Sequence, residues 1–341
     1  MKQYLEKLLR KEDLTLNEMK EASAYCFTSE ANETELAAFL TALKAKGETP
    51  EEMAGLVEVI RAQSSQTTGT LMNVMDNCGT GGDESYSFNI STTSAFVIAG
   101  AGVKVAKHGN RSITSKTGSA DVLEHLGVSL SFSKEHVEQL LDENNIAFLY
   151  APHVHKAMKR FGKVRKELRV PTIFNLIGPL TNPINLDTQL LGVYRSDMLE
   201  ALAETLHKLG RKRALVVNGA GGMDEASLAG DNHITLLEEG DITSFTLHPD
   251  DVGLPVYDNT QIRGGDSKEN AAILLKVLKG EPGAHLDTVL LNAGLGIYAN
   301  GAAPSITEGI NQAKESIDSG AALERLQHLV SFSNKTASEA I

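Results

Sequence analysis

The sequence predicts an α/β protein in which a small all-helical N-terminal domain precedes a larger α/β domain with a mainly parallel central sheet. Three observations carry this. Up to about Gln66 the apolar residues recur at helical spacing. Beyond the polar stretch Ser64 to Thr70 the text changes to short β-branched or apolar runs that end in glycine loops and resume as helices, a pattern that builds parallel sheets covered on both faces. The length, 341 residues, suggests two domains of roughly 100–200 residues each. They are set at 1–70, completed by helices near 165–185, and at 71–341.

In order, Leu5, Leu8 and Leu9 share one face of a first helix, and Thr15 with Glu18 forms a capping-box pattern. Thr34 to Lys46 carries Leu36, Phe39, Leu40 and Leu43 at helical spacing and stops at Gly47. Thr49-Pro50-Glu51-Glu52 opens the next helix with proline at its first position. Strands are expected at Leu71 to Met75, Val103 to Val105, Ala147 to Tyr150 and Ala214 to Val217. No internal repeat is present, and the residues from Ser333 onward are expected to fray. A substrate would sit in the crevice between the two units, at the carboxyl ends of the strands where the glycine loops emerge.

Composition removes several function classes. Lys+Arg 32 against Asp+Glu 44 gives a formal net charge of −12, and no local basic run supplies the face that nucleic-acid binding requires. Cys26 and Cys78 stand outside any C-x-x-C pair, which fits a reducing, cytoplasmic setting and gives neither a disulfide framework nor a zinc knuckle. Charges interrupt MKQYLEKLLRKEDL, so it reads as an amphipathic helix and not as a signal peptide. No membrane span is expected, since the longest apolar candidate is broken by glycines and lysines around Gly100 to Lys107. No H-E-x-x-H or G-x-S-x-G supports zinc or serine hydrolysis.

Four segments carry candidate chemistry. Asp76-Asn77-Cys78-Gly79-Thr80-Gly81-Gly82-Asp83 follows a strand and continues through Ser87 into a helix beginning near Ser91. Such a loop can aim N–H groups and a helix N-terminus at a diphosphate, but by composition alone it is equally a glycine-rich turn with an ordinary cap. The second loop, Lys107 to Ser119, gathers cations and hydroxyls in an acidic chain. Lys107 offers a point charge for phosphate and Ser119 a helix cap, and a solvated basic loop is the alternative. Asp224-Glu225, behind Gly219-Ala220-Gly221-Gly222-Met223, suits magnesium, although the pair alone more often marks a helix N-terminus. Arg165 has the fork that recognises a carboxylate, and also the setting of a surface arginine.

Taken together, G-T-G-G-D at Gly79 to Asp83, N-I-S-T at Asn89 to Thr92, K-H-G-N-R at Lys107 to Arg111, S-K-T-G-S-A-D-V-L-E from Ser115 and F-N-L-I-G-P-L-T-N-P from Phe174 resemble the anthranilate phosphoribosyltransferase family. The resemblance runs through G-M-D-E, Glu239 to Phe245 and Asn292 to Leu295, and so covers nearly the whole chain. It implies transfer of the phosphoribosyl group of phosphoribosyl pyrophosphate (PRPP) to anthranilate in tryptophan biosynthesis, by a magnesium-dependent homodimer with two ions per subunit. By matching position it makes Gly79, Gly82, Asp83, Ser87, Asn89, Ile90, Ser91, Thr92, Lys107, His108, Gly109, Asn110, Arg111, Ser112, Ile113, Thr114, Ser115 and Ser119 the PRPP site. Gly79, Asn110 and Arg165 match the anthranilate contacts, and Ser91, Asp224 and Glu225 the magnesium ligands. No catalytic residue is assigned; His108 is the one candidate proton acceptor.

Two positions depart from the family pattern. Asn218 stands where the family usually has histidine, and Glu167-Leu168-Arg169-Val170-Pro171-Thr172 stands where it usually reads E-L-G-V-R-T. The rival readings are a pyrimidine nucleoside phosphorylase, which shares the fold and similar first loops, and a catalytically silent paralogue that binds nucleic acid.

Overall fold

A computed structural model of the chain describes residues 1–64, 71–111 and 116–339, with side chains in the last helix described to Thr336. The first four helices are α1 (Lys2–Leu9), α2 (Leu16–Phe27), α3 (Glu33–Lys46) and α4 (Pro50–Ala62). Three of them start at reciprocal caps: Thr15 with Glu18, Asn32 with Glu35, and Thr49 with Glu52. Each such cap contributes about 1 kcal/mol to fixing a helix start. Glu52 is fully buried and also accepts the Leu14 N–H at 2.9 Å, while its other oxygen meets Lys46 Nζ at 2.9 Å, so one carboxylate ties α3, α4 and the loop before α2.

The remaining chain winds a seven-stranded sheet of β1 (Val74–Gly79), β2 (Lys104–Gly109), β3 (Ile146–Tyr150), β4 (Thr188–Gly192), β5 (Arg213–Asn218), β6 (Asn232–Glu238) and β7 (Asp241–Leu247). Their order is β3-β2-β1-β4-β5-β6-β7; the first five run parallel and the last two are antiparallel. The connecting and covering helices are α5 (Ile90–Gly100), α6 (Ser119–His125), α7 (Lys134–Glu143), α8 (Ala151–Val154), α9 (Lys159–Leu168), α10 (Phe174–Ile177) and α11 (Leu199–Lys208). The chain closes with α12 (Ser267–Leu278), α13 (Ala284–Asn300), α14 (Ile306–Asp318) and α15 (Ala321–Glu339).

Strand periodicity divides the interior. Along β4 and β5, Leu190, Leu215 and Val217 face one core with α5 and α13, whereas Leu191, Ala214 and Val216 face a second core. That second core also holds Leu36, Phe39 and Val57 of the N-terminal helices, Phe161 and Val164 of α9, Phe174, Leu180, and Leu202 and Leu206 of α11. The N-terminal helices therefore do not close on themselves: they share an apolar interior with one face of the sheet.

Several expectations shift. β1 begins at Val74 and runs on through Asp76-Asn77-Cys78-Gly79, and β2 runs through Lys107-His108-Gly109, so residues read as loop are strand ends. Pairing to β4 and β3 outweighs their polar character, and Asp76, Asn77, Lys107 and His108 are all buried. β4, with Gln189 at its centre, and the β6–β7 hairpin gave no clear periodic signal. The C-terminal fraying is corrected: α15 continues to Glu339, and buried Ser333 donates to the Leu329 carbonyl at 2.8 Å and accepts from Ser129 N–H at 3.0 Å. Among the described residues no helix is long and apolar enough to cross a membrane.

Candidate active site

The carboxyl ends of β1, β4 and β5 enclose the turn from Gly219 to Glu225. Gly79 pairs with Gly192, and both lie against Asp224: a Cβ on Gly79 would stand 2.2 Å from Asp224 Oδ2, and one on Gly192 would stand 1.7 Å from the Asp224 carbonyl oxygen. A Cβ on Gly219 would lie 2.0 Å from the Glu225 carbonyl oxygen. β1 and β4 thus end in glycine, and glycine directly follows β5, because the acidic turn occupies the volume their side chains would need.

The turn delivers its two carboxylates to the two halves of one loop. Asp224 Oδ2 accepts the Gly81 N–H at 2.6 Å, and Glu225 Oε1 accepts the Ser91 N–H at 3.1 Å in the first turn of α5. These N–H groups bind anionic oxygen, as a glycine loop running into a helix N-terminus should. Between them Gly81, Gly82, Glu84 and Tyr86 are left-handed, with φ of 70°, 87°, 55° and 54°. That backbone is held by Thr80 N–H on the Gly192 carbonyl (3.0 Å), Ser85 N–H on Asp83 Oδ1 (3.2 Å) and a bridge from Ser87 to Arg263.

Charge is left unneutralised here. Burial, then the neighbouring Asp83, raises the Asp224 carboxyl above the usual carboxylate range, and burial, then Asp224, raises Glu225. Glu225 keeps a partly exposed edge, although dense packing surrounds its carboxylate. Lys107, 2% exposed, opposes the Glu225 shift, donates to the Asn77 carbonyl at 2.8 Å and has no carboxylate at ion-pair distance among the described residues. Beneath it Asp76 accepts from His108 N–H (3.3 Å) and from Asn182 Nδ2 (2.9 Å); burial pushes its carboxyl up to about 6 against the pull of Lys107. His108 packs edge-on to His155 with ring centroids 5.3 Å apart, and burial lowers the two imidazoles to about 3 and about 4.

Of the other predicted residues, Gly82 faces the Tyr194 ring, Ile90 and Thr92 are buried, and the Thr92 hydroxyl and Asp83 Oδ2 are enclosed without a hydrogen-bond partner. Asn89 is tied at both ends of its amide, to Thr117 and Asn270. The Asn110 carbonyl accepts from Ala120 N–H and Ser119 Oγ, each at 3.2 Å, and a Cβ on Gly109 would strike that Ser119 hydroxyl. Ser119 is therefore not the cap of α6. Gly118 holds the cap position, its N–H donating to Asp121 at 2.9 Å. Arg111 turns to α6, meeting Asp121 and Glu124 at 2.8 and 2.9 Å. Ser112, Ile113, Thr114 and Ser115 lie outside the described residues.

Arg165 lies on α9. Its guanidinium lies 5.3 Å from the Phe174 ring centroid, half-buried, with no acidic or hydrogen-bonding partner among the described residues. Desolvation lowers its pKa from the ordinary arginine value. An arginine left without an acid in this way is prepared for an incoming carboxylate. Of the departures, Arg169 takes the left-handed conformation at the end of α9 (φ 54°) that glycine favours, and Asn218 donates to the Val193 carbonyl at 2.7 Å. Each keeps its local backbone arrangement.

Supporting residues escaped the sequence reading. Asn292 of α13 accepts the Ala226 N–H (2.9 Å) and donates to its carbonyl (2.8 Å), gripping the chain next to Glu225; only its place in N-A-G-L pointed to it. Asn182 bonds both Asp76 and the Ala106 carbonyl, joining β1 to β2. A cavity of about 380 Å³ lies at the opposite end of the strands, lined by Asn73, Asp187, Lys212, Arg213 and Asn300 among others, whose charges already pair with one another. It is distant from this chemistry.

The residues fit a magnesium ion in kind. The donor set is all oxygen, and the paired carboxylates repel each other in a buried place, a strain that a divalent cation relieves. Among the described residues no three His, Cys, Asp or Glu side chains already form a metal cluster, which leaves the remaining positions to water and substrate oxygens, as magnesium prefers.

Comparison with known proteins bears on this geometry. Residues 71–323 match the glycosyl transferase family α/β domain and residues 2–64 its helical bundle domain. The chain is 57% identical to the anthranilate phosphoribosyltransferase of Oceanobacillus iheyensis over 99% of both chains. The crystal structure of anthranilate phosphoribosyltransferase from Thermus thermophilus is similar with a TM-score of 0.91 at 39% identity, covering 97% of this chain and 99% of that one. The Saccharomyces cerevisiae enzyme is similar both in complex with PRPP and Mg (TM-score 0.89, 29% identity) and in complex with 4-fluoroanthranilate (0.87, 28%), each covering 98% of this chain and 97% of that one.

Proposed function

The chain belongs to the anthranilate phosphoribosyltransferase family, and on that premise we propose that it transfers the phosphoribosyl group of PRPP to the amino group of anthranilate. The observation that carries the proposal is the seating of Asp224 and Glu225 on the Gly81 and Ser91 N–H groups, beside a buried Lys107 that lacks an acid partner. The phosphorylase and silent-paralogue readings have no comparable support, since relatives 57% and 58% identical over nearly the whole chain are anthranilate phosphoribosyltransferases.

The reaction forms a bond from the anthranilate nitrogen to C1 of the ribose and breaks the bond from C1 to the pyrophosphate oxygen. The electron pair leaves with pyrophosphate and the nitrogen sheds a proton. Magnesium held by Ser91, Asp224 and Glu225 supplies neutralisation of the diphosphate charge. The divergence of the two carboxylates, one toward Gly81 and one toward Ser91, supports two ions per subunit. Lys107, with loop N–H groups other than those of Gly81 and Ser91 that Asp224 and Glu225 already take, stabilises the departing negative charge from positions the strands fix beforehand. Arg165 binds the anthranilate carboxylate, and Asn110 with Gly79 completes that contact. His108 is too weak a base, with its imidazole lowered to about 3, to take the proton strongly, so positioning carries the rate.

The chain divides near residue 70, and the packing of Phe161, Phe174 and Leu180 with the N-terminal helices supports the segment around 165–185 as part of the helical unit. The active form we infer is the homodimer that the family resemblance implies. The unpaired Cys26 and Cys78 support a reducing, cytoplasmic setting.

Anthranilate fluorescence tests the function directly. Decay should require protein, anthranilate, PRPP and magnesium together. Decay that persists without PRPP, or none at all from folded protein, would overturn the assignment, and thymidine phosphorolysis would then be assayed.

A further inference from the structure

Three segments far apart in sequence converge beside Ser91: Asn89 ahead of α5, Thr117 ahead of α6, and Gly264-Gly265 ahead of α12. Asn270, four residues beyond the Asp266 cap of α12 and 2% exposed, closes them into a ring. Its Oδ1 accepts the Gly265 N–H at 2.7 Å and its Nδ2 donates to Asn89 Oδ1 at 2.8 Å. Asn89 Nδ2 then donates to the Thr117 carbonyl at 3.2 Å, and Thr117 Oγ1 donates to the Gly265 carbonyl at 2.9 Å.

The direction of the ring is set by chemistry. A backbone N–H can only donate, so the oxygen of Asn270 must face Gly265 and its NH2 must face Asn89; that orients the Asn89 oxygen inward and its NH2 onto Thr117. The fit leaves little slack, since a Cβ on Gly264 would lie 2.5 Å from Asn270 Oδ1 and 2.7 Å from Phe88 Cα. Without Asn270, the start of α5 loses its bond to α12 and Asn89 loses the donor that orients its amide toward the Thr117 carbonyl.

We infer that Asn270 is a positioning residue for the PRPP site: it touches no substrate but orients Asn89 at the start of α5, where Ser91 stands, against Thr117 in the segment 116–118 ahead of α6. The inference rests on the reading of these two loops as the PRPP site. Small misplacements of such groups cost rate and affinity out of proportion to the single bond lost.

The test compares Asn270→Ala and Asn270→Asp with the unaltered protein. The Asp variant keeps the acceptor for Gly265 but has no donor for Asn89, so both variants should raise the PRPP Michaelis constant about tenfold while the anthranilate constant changes less than twofold. In ligand-free protein, amide exchange should quicken across residues 86–92 and 116–119 and not in β5. Combined with Thr117→Val, Asn270→Ala should cost less than the sum of the two single changes. Unchanged exchange in both segments would overturn the inference, as would an equal rise in both Michaelis constants accompanied by a broad loss of thermal stability. If the unaltered protein fails to consume anthranilate, the functional reading fails, and the exchange measurement on ligand-free protein still decides the role of Asn270.

Discussion

At the amino end of the sheet Lys212 meets Asp187 at 3.1 Å and Arg213 meets Glu238 at 3.2 Å, whereas at the carboxyl end buried Lys107 has only a carbonyl and the Asp224–Glu225 pair repels itself. Both ends are polar, and the amino end holds a cavity of about 380 Å³. The difference lies in compensation. Exposed ion pairs settle their charges locally and contribute about 0–1 kcal/mol each, while groups held buried without partners persist where a ligand completes them. Burial and missing partners separate the proposed site from the paired end of the sheet.

The contrast is broken most severely at the acidic turn. Replacing Asp224 and Glu225 by Asn and Gln should lower the rate by about a thousandfold and abolish its dependence on magnesium. Because both carboxyls are raised by folding, their ionised forms disfavour the folded state at neutral pH, and the neutral variant removes that strain. Its melting temperature should therefore hold or rise, and a fall in both activity and melting temperature would make the pair a structural cap.

Next in size is Gly192→Ala. Its Cβ would meet a backbone oxygen at 1.7 Å, so the turn must move. A loss of about 1–3 kcal/mol in denaturant unfolding should accompany a rate loss of about a hundredfold; normal activity would show that the turn has room to shift. Arg165→Ala removes charge-assisted bonds worth about 1.5–3 kcal/mol, raising the anthranilate Michaelis constant tenfold or more and leaving that of PRPP nearly unchanged, which steady-state kinetics resolves. An equal change in both would detach Arg165 from the anthranilate carboxylate. Arg169→Gly should add about 1 kcal/mol of stability by relieving a left-handed arginine, read as a higher urea midpoint. Smallest is Lys212→Ala at the amino end, which should cost under about 1 kcal/mol and leave the kinetics untouched.

Much of this was legible in one dimension because local chemistry fixed it. The caps at Thr15 and Thr49, and the strands at Ile146–Tyr150 and Arg213–Asn218, follow from side-chain hydrogen bonding and apolar runs. The Gly79–Asp83 and Lys107–Arg111 segments announced an anion site through residue type, and their likeness to a known family supplied the substrates. Less legible were β4, whose Gln189 is satisfied only by the distant Pro179 carbonyl and Arg211, and α15, whose polar tail hides the burial of Ser333 against Ser129.

The sequence by itself determined the helical start, the alternation of strands and helices, the net charge of −12 and the glycine and acidic motifs, because these depend on neighbours within a few residues. Tertiary structure alone decided which carboxylate meets which N–H, that Lys107 would be buried without an acid, that Ser119 would bond Asn110 instead of capping its helix, and that Asn270 would bond Asn89, 181 residues away. Those outcomes depend on burial and on partners brought together by the sheet, and neither quantity exists until the chain has closed on itself.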